Sequence, residues 1–378
     1  MWVRVDLEED ASGVGMDLGT VFGATNEGEL TCYLAAFGLT VGTFILPAGR
    51  LGGLYGHKKI FPSWNNGVWA LIAGFSVYYG SILFSVSRGF QGIGPALVVP
   101  NGLVIAGHNF QGKKKNYAFA YECDLKAEVS EPTFDFAGTV TGVSGLVLFN
   151  FAWNQAAVVG WSVSYTDILL VDGILFFAAF IYVETHVTQY PLVPINSLSE
   201  DAVYALSIIA RGWASFGIWV FYLWQLIENL WHHSVLSAAA QQCPVAVSGL
   251  LVSLTVGYLF SKFHVAYIMA GAMACFVTGQ IFLATIPVSQ TYWAQTFVAL
   301  PREHQGIAAS LINTVVNYSI SLSLGLAGTI VRQTKAGGEN VLGSYRNAWY
   351  FAVGLDGLGM VVALYFLWIS VGKTGPPC

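Results

Sequence analysis

A chain of 378 residues with 55% hydrophobic and only 10% charged residues is not built for water, where about a quarter of residues carry charge. Its 15% aromatic content, with 12 tryptophans, suits rings seated at the two interfaces of a bilayer. The net charge of −5, with no basic cluster interleaved with aromatics, excludes a nucleic-acid partner.

The first ten residues are acidic (MWVRVDLEED), where a secretory leader needs positive charge and then an apolar run. Downstream, ten stretches supply the roughly 20 apolar residues that a helix needs to cross about 30 Å of hydrocarbon. They are 31–49, 66–82, 83–107, 137–157, 167–184, 203–228, 236–261, 265–287, 306–331 and 347–371. The second and third are parted only by a bend at Tyr78–Ser81. Ser289–Leu300 is an apolar stub of 12 residues, about 18 Å as a helix and too short to cross. The expected fold is therefore an all-α integral membrane bundle of about ten full spans plus one stub.

Charge orients the spans. Arg50, Lys58 and Lys59 follow the first span, and Lys113, Lys114 and Lys115 follow two spans later, so both clusters fall on one side. The hairpin between carries no lysine or arginine, and the positive-inside rule makes the basic side cytoplasmic. Residues 108–136 are a polar connection and 185–202 a proline-containing one.

Two motifs carry a resemblance. Gly49-Arg50-Leu51-Gly52-Gly53-Leu54-Tyr55-Gly56-His57-Lys58-Lys59 resembles the loop signature between the second and third spans of major facilitator superfamily carriers. Arg88-Gly89-Phe90-Gln91-Gly92-Ile93-Gly94-Pro95-Ala96 resembles the signature of their fourth span, in the right order and at the right separation. FDFAGTVTGVSGLVLFNFAWNQ and PREHQGIAASLINTVVNYSIS look most like the fungal fourteen-span drug:proton antiporter branch.

The resemblance implies a secondary active transporter of small molecules, with proton-coupled efflux of drugs or other xenobiotics. Ammonium or borate is the alternative substrate that it leaves open. It further implies no cofactor, no enzyme activity, a monomer, and a plasma-membrane or vacuolar location. The partners are the lipid bilayer, the small-molecule substrate and protons. Its domain plan gives a polar segment 1–30, three helices of an N-terminal transport half over 31–107, and a cytoplasmic connection over 108–136. A central linker pair over 137–184, a connector over 185–202, a C-terminal half over 203–371 and a tail over 372–378 complete it.

Against that plan four of fourteen spans are missing. They are the first, a pair near Ala120/Tyr121 that would hold the glycine-proline antiporter signature, and one near Val298/Ala299. A chain that no longer transports, or an incompletely assembled coding sequence, is thus a second reading. A single lost crossing near residue 298 would also invert the C-terminal spans. Arg332, Lys335 and Arg346 would then be cytoplasmic, as charge prefers, whereas the family plan puts them outside.

Several residues are candidates for the transport path. Arg88 is a charge inside an apolar helix, costing about 2.5–3.5 kcal/mol on insertion scales, so it needs a partner or a wet cavity. Gln91 shares its face at i+3. The resemblance implicates this arginine in proton coupling; the plain reading is an arginine satisfied by neighbouring carbonyls. Arg211, Ser215, Tyr222 and Gln225 form one polar stripe, and Ser310, Asn313, Asn317 and Ser321 another. Both suit either a cavity wall or interhelical hydrogen bonding. Asp356 and Asp172 are carboxylates within spans and Asp167 is interfacial, while Asn150 and Asn154 read as packing.

Gly49, Arg50, Gly53, Gly56, His57, Lys58 and Lys59 form the gating loop by resemblance. Gly53 replaces the family's usual aspartate, which leaves the loop equally readable as a structural turn. Glu228, His232 and His233 read as an exposed turn. The five cysteines (Cys32, Cys123, Cys243, Cys275, Cys378) show neither metal-ligand spacing nor a disulfide framework.

Overall fold

The computed structural model describes residues 22, 27–60, 66–109, 134–188, 192–193, 198–234, seven positions between 237 and 259, 262–287, 309–335 and 340–373. Every regular element among them is helical. In chain order these are α1 (Glu27–Tyr55), α2 (His57–Ile60), α3 (Asn66–Phe75), α4 (Ser81–Asn109), α5 (Phe136–Val159) and α6 (Ser164–Tyr182). Beyond them lie α7 (Glu200–Asn229), α8 (Val265–Ala284), α9 (Ala309–Thr334) and α10 (Val341–Lys373).

Eight of them, α1 and α4 to α10, are long and apolar enough to cross a membrane. Each overlaps one of the apolar runs read from the sequence over most of its length. The expected span 66–82 is a departure. It closes after α3 with a 3-10 turn, Ser76–Tyr78, and the apolar helical stretch Gly67–Tyr78 is only about 18 Å long. The cause is local: Gly80 takes φ +105°, a left-handed conformation that ends the helix. Most of 236–261, the stub 289–300 and Lys113–Lys115 lie outside the described residues.

Helix ends are set by short-range chemistry. Asp135 caps α5 by accepting from the Gly138 N–H at 2.8 Å, and Gly160 at φ +87° ends that helix. Ser199 caps α7 by accepting from the Ala202 N–H at 3.2 Å, with Glu200 and Asp201 against the positive end of its dipole. At the end of α6 the Glu184 carboxylate accepts from the Leu192 and Val193 N–H groups at 3.0 and 3.1 Å, which ties the connector to the helix.

The surface is inside out for a water-soluble protein. Ile168, Val171, Ile174 and Leu175 stand exposed on α6, as do Val361, Leu364 and Trp368 on α10. Asn150, Ser215, Gln280 and Asp356 are buried instead. Such apolar area is stable only where hydrocarbon covers it.

Close backbone approach builds the centre, where α1 packs on α4, α5 and α9, and α7 on α8, α9 and α10. A Cβ on Gly42 of α1 would stand 2.8 Å from the Tyr318 backbone nitrogen of α9. One on Gly173 of α6 would stand 2.7 Å from the Phe149 nitrogen of α5. Small residues allow this proximity, which dispersion then rewards in lipid.

The contacts also fix helix directions. Along α5 and α9 the pairs Leu146–Tyr318, Asn150–Ser321 and Val158–Arg332 ascend together, so the two helices are parallel. Along α1 and α9, Ala35 meets Ser321 while Gly42 meets Tyr318 and Thr314, so these are antiparallel. Arg332 and Lys335 therefore lie at the end of the bundle opposite the Arg50–Lys59 turn. The family plan of the sequence reading holds here, against the charge rule. Pro287 and Ala309 accordingly lie at opposite ends, because α8 finishes beside Arg346, which donates to the Ile286 carbonyl at 3.0 Å.

Two outcomes are expected. Gly42→Ala should lower stability by about 1–3 kcal/mol through overpacking, read as a reduced melting temperature in detergent; an unchanged value would remove the close approach. Single cysteines at Lys58 and Lys335, in a chain cleared of its own cysteines, should be labelled from opposite faces of the membrane. Labelling from one face would overturn the helix directions.

Candidate functional site

Arg88 lies about two turns into α4, roughly 10 Å along the axis from Ser81, and faces α1. Its guanidinium donates to Gln91 Oε1 at 2.6 Å and sits 4.9 Å from the centroid of the Phe37 ring. The contact is possible because Gly92 brings α4 against α1, where a Cβ would meet the Phe37 carbonyl at 2.6 Å. Both side chains are half-buried. A charge in this position is held by an amide and an aromatic face; the described residues give it no carboxylate.

The α7 stripe does not act as one surface. Arg211 donates to the carbonyl and hydroxyl of Ser207, one turn earlier. Ser215 is buried against α8 and α10, where its hydroxyl donates to Asp356 Oδ2 at 2.6 Å. Gln280 of α8 donates to the Ser215 hydroxyl at 2.8 Å and to its carbonyl at 3.0 Å. Tyr222 packs its ring 5.5 Å from that of Tyr345. Gln225 accepts from Asn229 at 2.7 Å, and Asn229 also reaches the Tyr345 hydroxyl at 3.2 Å. One periodic stripe thus becomes three separate groups: Arg211 bonds within α7, Ser215 joins Gln280 and Asp356, and Tyr222 and Gln225 lie with Tyr345 and Asn229.

The α9 stripe divides as well. Asn317 donates to the Asn313 carbonyl within its own helix at 2.9 Å, and the Ser310 side chain lies outside the described residues. Ser321 joins three helices: its hydroxyl lies 2.9 Å from the Ala35 carbonyl of α1 and 3.0 Å from Asn150 Oδ1 of α5. Asn154 donates to Asn150 Oδ1 at 2.7 Å, and Tyr318 donates to the Leu146 carbonyl at 3.1 Å. Reading Asn150 and Asn154 as packing residues agrees with this arrangement.

At the basic end Gly56 takes φ +96°, a turn that needs glycine. His57 Nδ1 and Asn101 Oδ1 lie 2.7 Å apart, and Asn101 also donates to the carbonyls of Ala48 and Leu97 at 3.3 and 2.7 Å. Asn101 therefore pins the turn to α4. Arg50, Lys58 and Lys59 are exposed, and Gly49 is half-buried. Nothing stands within 4 Å of a Cβ built on Gly53, so the family's aspartate would fit there. Glu184, in the turn Val183–Val187 that follows α6, lies within electrostatic reach of Arg50, so the nearby carboxylate belongs to that turn rather than to the loop.

Other expectations sort by exposure. Asp167 and Asp172 both face outward on α6, away from any internal path. Glu228 corrects the sequence reading. It belongs to the last turn of α7, is buried, and accepts from the Trp224 indole N–H at 2.5 Å; His232 and His233 form the exposed turn beyond it. No group of three or more potential metal ligands occurs among the described residues. Two further residues of these groups carry only a faint signal in the sequence. Gln280 is a lone amide in the apolar run CFVTGQIFLA, and that isolation was its signal. Asn101 directly follows Pro100.

A scan against protein-family profiles finds no match. Curated relatives, by contrast, match nearly end to end. The chain is 42% identical to a low affinity ammonium transporter of Saccharomyces cerevisiae, covering 94% of this chain and 84% of that protein. It is 34% identical to the efflux pump terJ of Aspergillus terreus, covering 95% and 84%. It is 32% identical to a major facilitator superfamily multidrug transporter of Aspergillus fumigatus, covering 93% and 74%. The first alignment runs over 436 residues against a chain of 378, so that relative carries internal sequence without a counterpart here. With an all-helical, multi-pass architecture and relatives named as transporters over most of its length, the chain belongs to the major facilitator superfamily of membrane transporters.

Proposed function

We propose that the protein is a proton-coupled secondary carrier that exports small organic toxicants, acting as a monomer in the plasma membrane. The observation that carries this reading is the placement of charge. Arg88 is half-buried against Phe37 and Gln91 within an apolar helix. A charge there is costly and is retained where it meets a solute or a proton path. Carriers of this kind bind at the midplane between helical halves and rock about the site.

In this reading Arg88 and Gln91 sense occupancy from α4, and Phe37 offers a ring face to apolar or cationic cargo. Asn313 and Asn317 present amides along α9, and Arg211 marks the opposite half. The Gly49–Lys59 turn, pinned by Asn101, is the cytoplasmic gate, with Glu184 in place of the missing loop aspartate as its acidic partner. Export is supported by relatives named as an efflux pump and a multidrug transporter.

A second substrate reading, ammonium, has its own support in the 42% identical relative named as a low affinity ammonium transporter. Proteoliposomes with an imposed pH gradient separate the two: labelled methylammonium tests one, a fluorescent cationic dye the other. Movement of neither would favour a chain that does not transport. In the arm that shows transport, Arg88→Ala is expected to insert normally and to lose at least tenfold in gradient-driven rate. A wild-type rate in that variant would remove Arg88 from the mechanism.

A further inference from the structure

Asp356 is fully buried near the middle of α10, on the face that meets α7 and α8. Its Oδ2 accepts from the Ser215 hydroxyl at 2.6 Å. That hydroxyl in turn accepts from Gln280 Nε2 at 2.8 Å, so three buried side chains from three helices form one directed chain of hydrogen bonds. Two buried oxygens in the cluster, Asp356 Oδ1 and Gln280 Oε1, find no hydrogen-bond partner among the described residues. Both are acceptors, so the cluster lacks a donor.

Among the described residues no neighbouring cation fills that need. On α7, Arg211 is bonded to Ser207, and Glu228 lies 13 residues beyond Ser215, held by Trp224. The span of α8, Val265–Ala284, contains no Asp, Glu, Lys, Arg or His; its Tyr267 is exposed and Cys275 half-buried. On α9, Tyr318 and Arg332 both point to carbonyls of α5. On α10 itself, Arg346 donates to Ile286 near the helix start, Tyr350 is exposed, and Tyr345 lies against Tyr222. A carboxylate left ionised here would be a buried charge with one hydrogen bond, an arrangement that proteins avoid.

We propose that Asp356, Ser215 and Gln280 form a proton-binding site, in which Asp356 carries an exchangeable proton while α7, α8 and α10 are packed together. Binding is a plain transfer: hydronium gives its proton to Oδ1, a neutral carboxylic acid forms, and one water is released. The neutral acid supplies the missing donor, and Gln280 Oε1 is the unused acceptor of the same cluster. Parting of α7 from α10 would break the Ser215–Asp356 bond, admit water and return the proton, so the protonation state is linked to helix packing. Within the proposed transport cycle this places a proton site in the C-terminal half, separate from Arg88; the link to transport rests on that reading, whereas the site itself does not.

The test is infrared spectroscopy on the purified protein reconstituted in lipid at neutral pH. Asp356→Asn, which keeps the size and the acceptor for Ser215, is expected to remove one carbonyl band of a protonated carboxylic acid. Ser215→Ala and Gln280→Leu, which spare the carboxyl, are expected to shift that band, and size-exclusion profiles confirm that each variant is folded. No band lost in Asp356→Asn would overturn protonation, and an unmoved band in both other variants would overturn the cluster. A protein that transports neither methylammonium nor the dye would refute the carrier reading while leaving the infrared result to decide this site.

Discussion

The structure turns on the contact of α1, α5 and α9 without solvent between them. In hydrocarbon there is no water to pair with a stray polar group, and apolar side chains gain little by leaving lipid for one another. Association must come from close packing and from hydrogen bonds that only the assembled helices can make. Gly42 lets α9 approach α1 to backbone distance, and Ser321 then reaches Ala35 on one side and Asn150 on the other. Remove that proximity and Asn150 and Asn154 would face lipid.

This contact also fixes topology. The family plan and the positive charges of Arg332, Lys335 and Arg346 pull in opposite directions when only sequence is counted. Packing decides between them, because side-chain pairs along α1, α5 and α9 allow a single set of directions. Arg332 does not stay a free positive charge at the membrane face: it donates to the carbonyls of Ala157 and Val158 at the end of α5. At that place its charge meets the negative end of the α5 dipole, where a cation is favourable.

The spans were legible because a run of 20 apolar residues is a one-dimensional signal that lipid reads much as the eye does. What composition could not show was where backbone conformation overrides it. Residues 66–82 are apolar enough to cross, yet Ser76–Tyr78 tightens and Gly80 turns left-handed, so the helix stops short. The polar stripe on α7 was legible as a face but not as a set of partners. Periodicity places Arg211, Ser215, Tyr222 and Gln225 on one side; it cannot say that Ser207, Asp356, Tyr345 and Asn229 wait there. Gln280 is silent in the sequence for the same reason, since its partner is Ser215, 65 residues away. Glu228, four residues before a pair of histidines, reads as a turn in the sequence, whereas in the fold it ends α7 and accepts from Trp224.

The two interior polar groups differ in a way that separates scaffold from switch. At Asn150 and Asn154 the unpartnered atoms are one amide nitrogen and one amide oxygen. Donors and acceptors balance there, the residues are neutral, and a change of proton concentration has nothing to act on. At Asp356 and Gln280 both unpartnered atoms are oxygens, and one belongs to an ionisable group. No rotation of an amide or a hydroxyl can add a donor to a cluster that is short of one; a proton can. The same dry interior that makes the first group a fastener thus makes the second responsive. The difference lies in the chemistry of the side chains rather than in their depth, since Asn150, Ser215 and Asp356 are all fully buried.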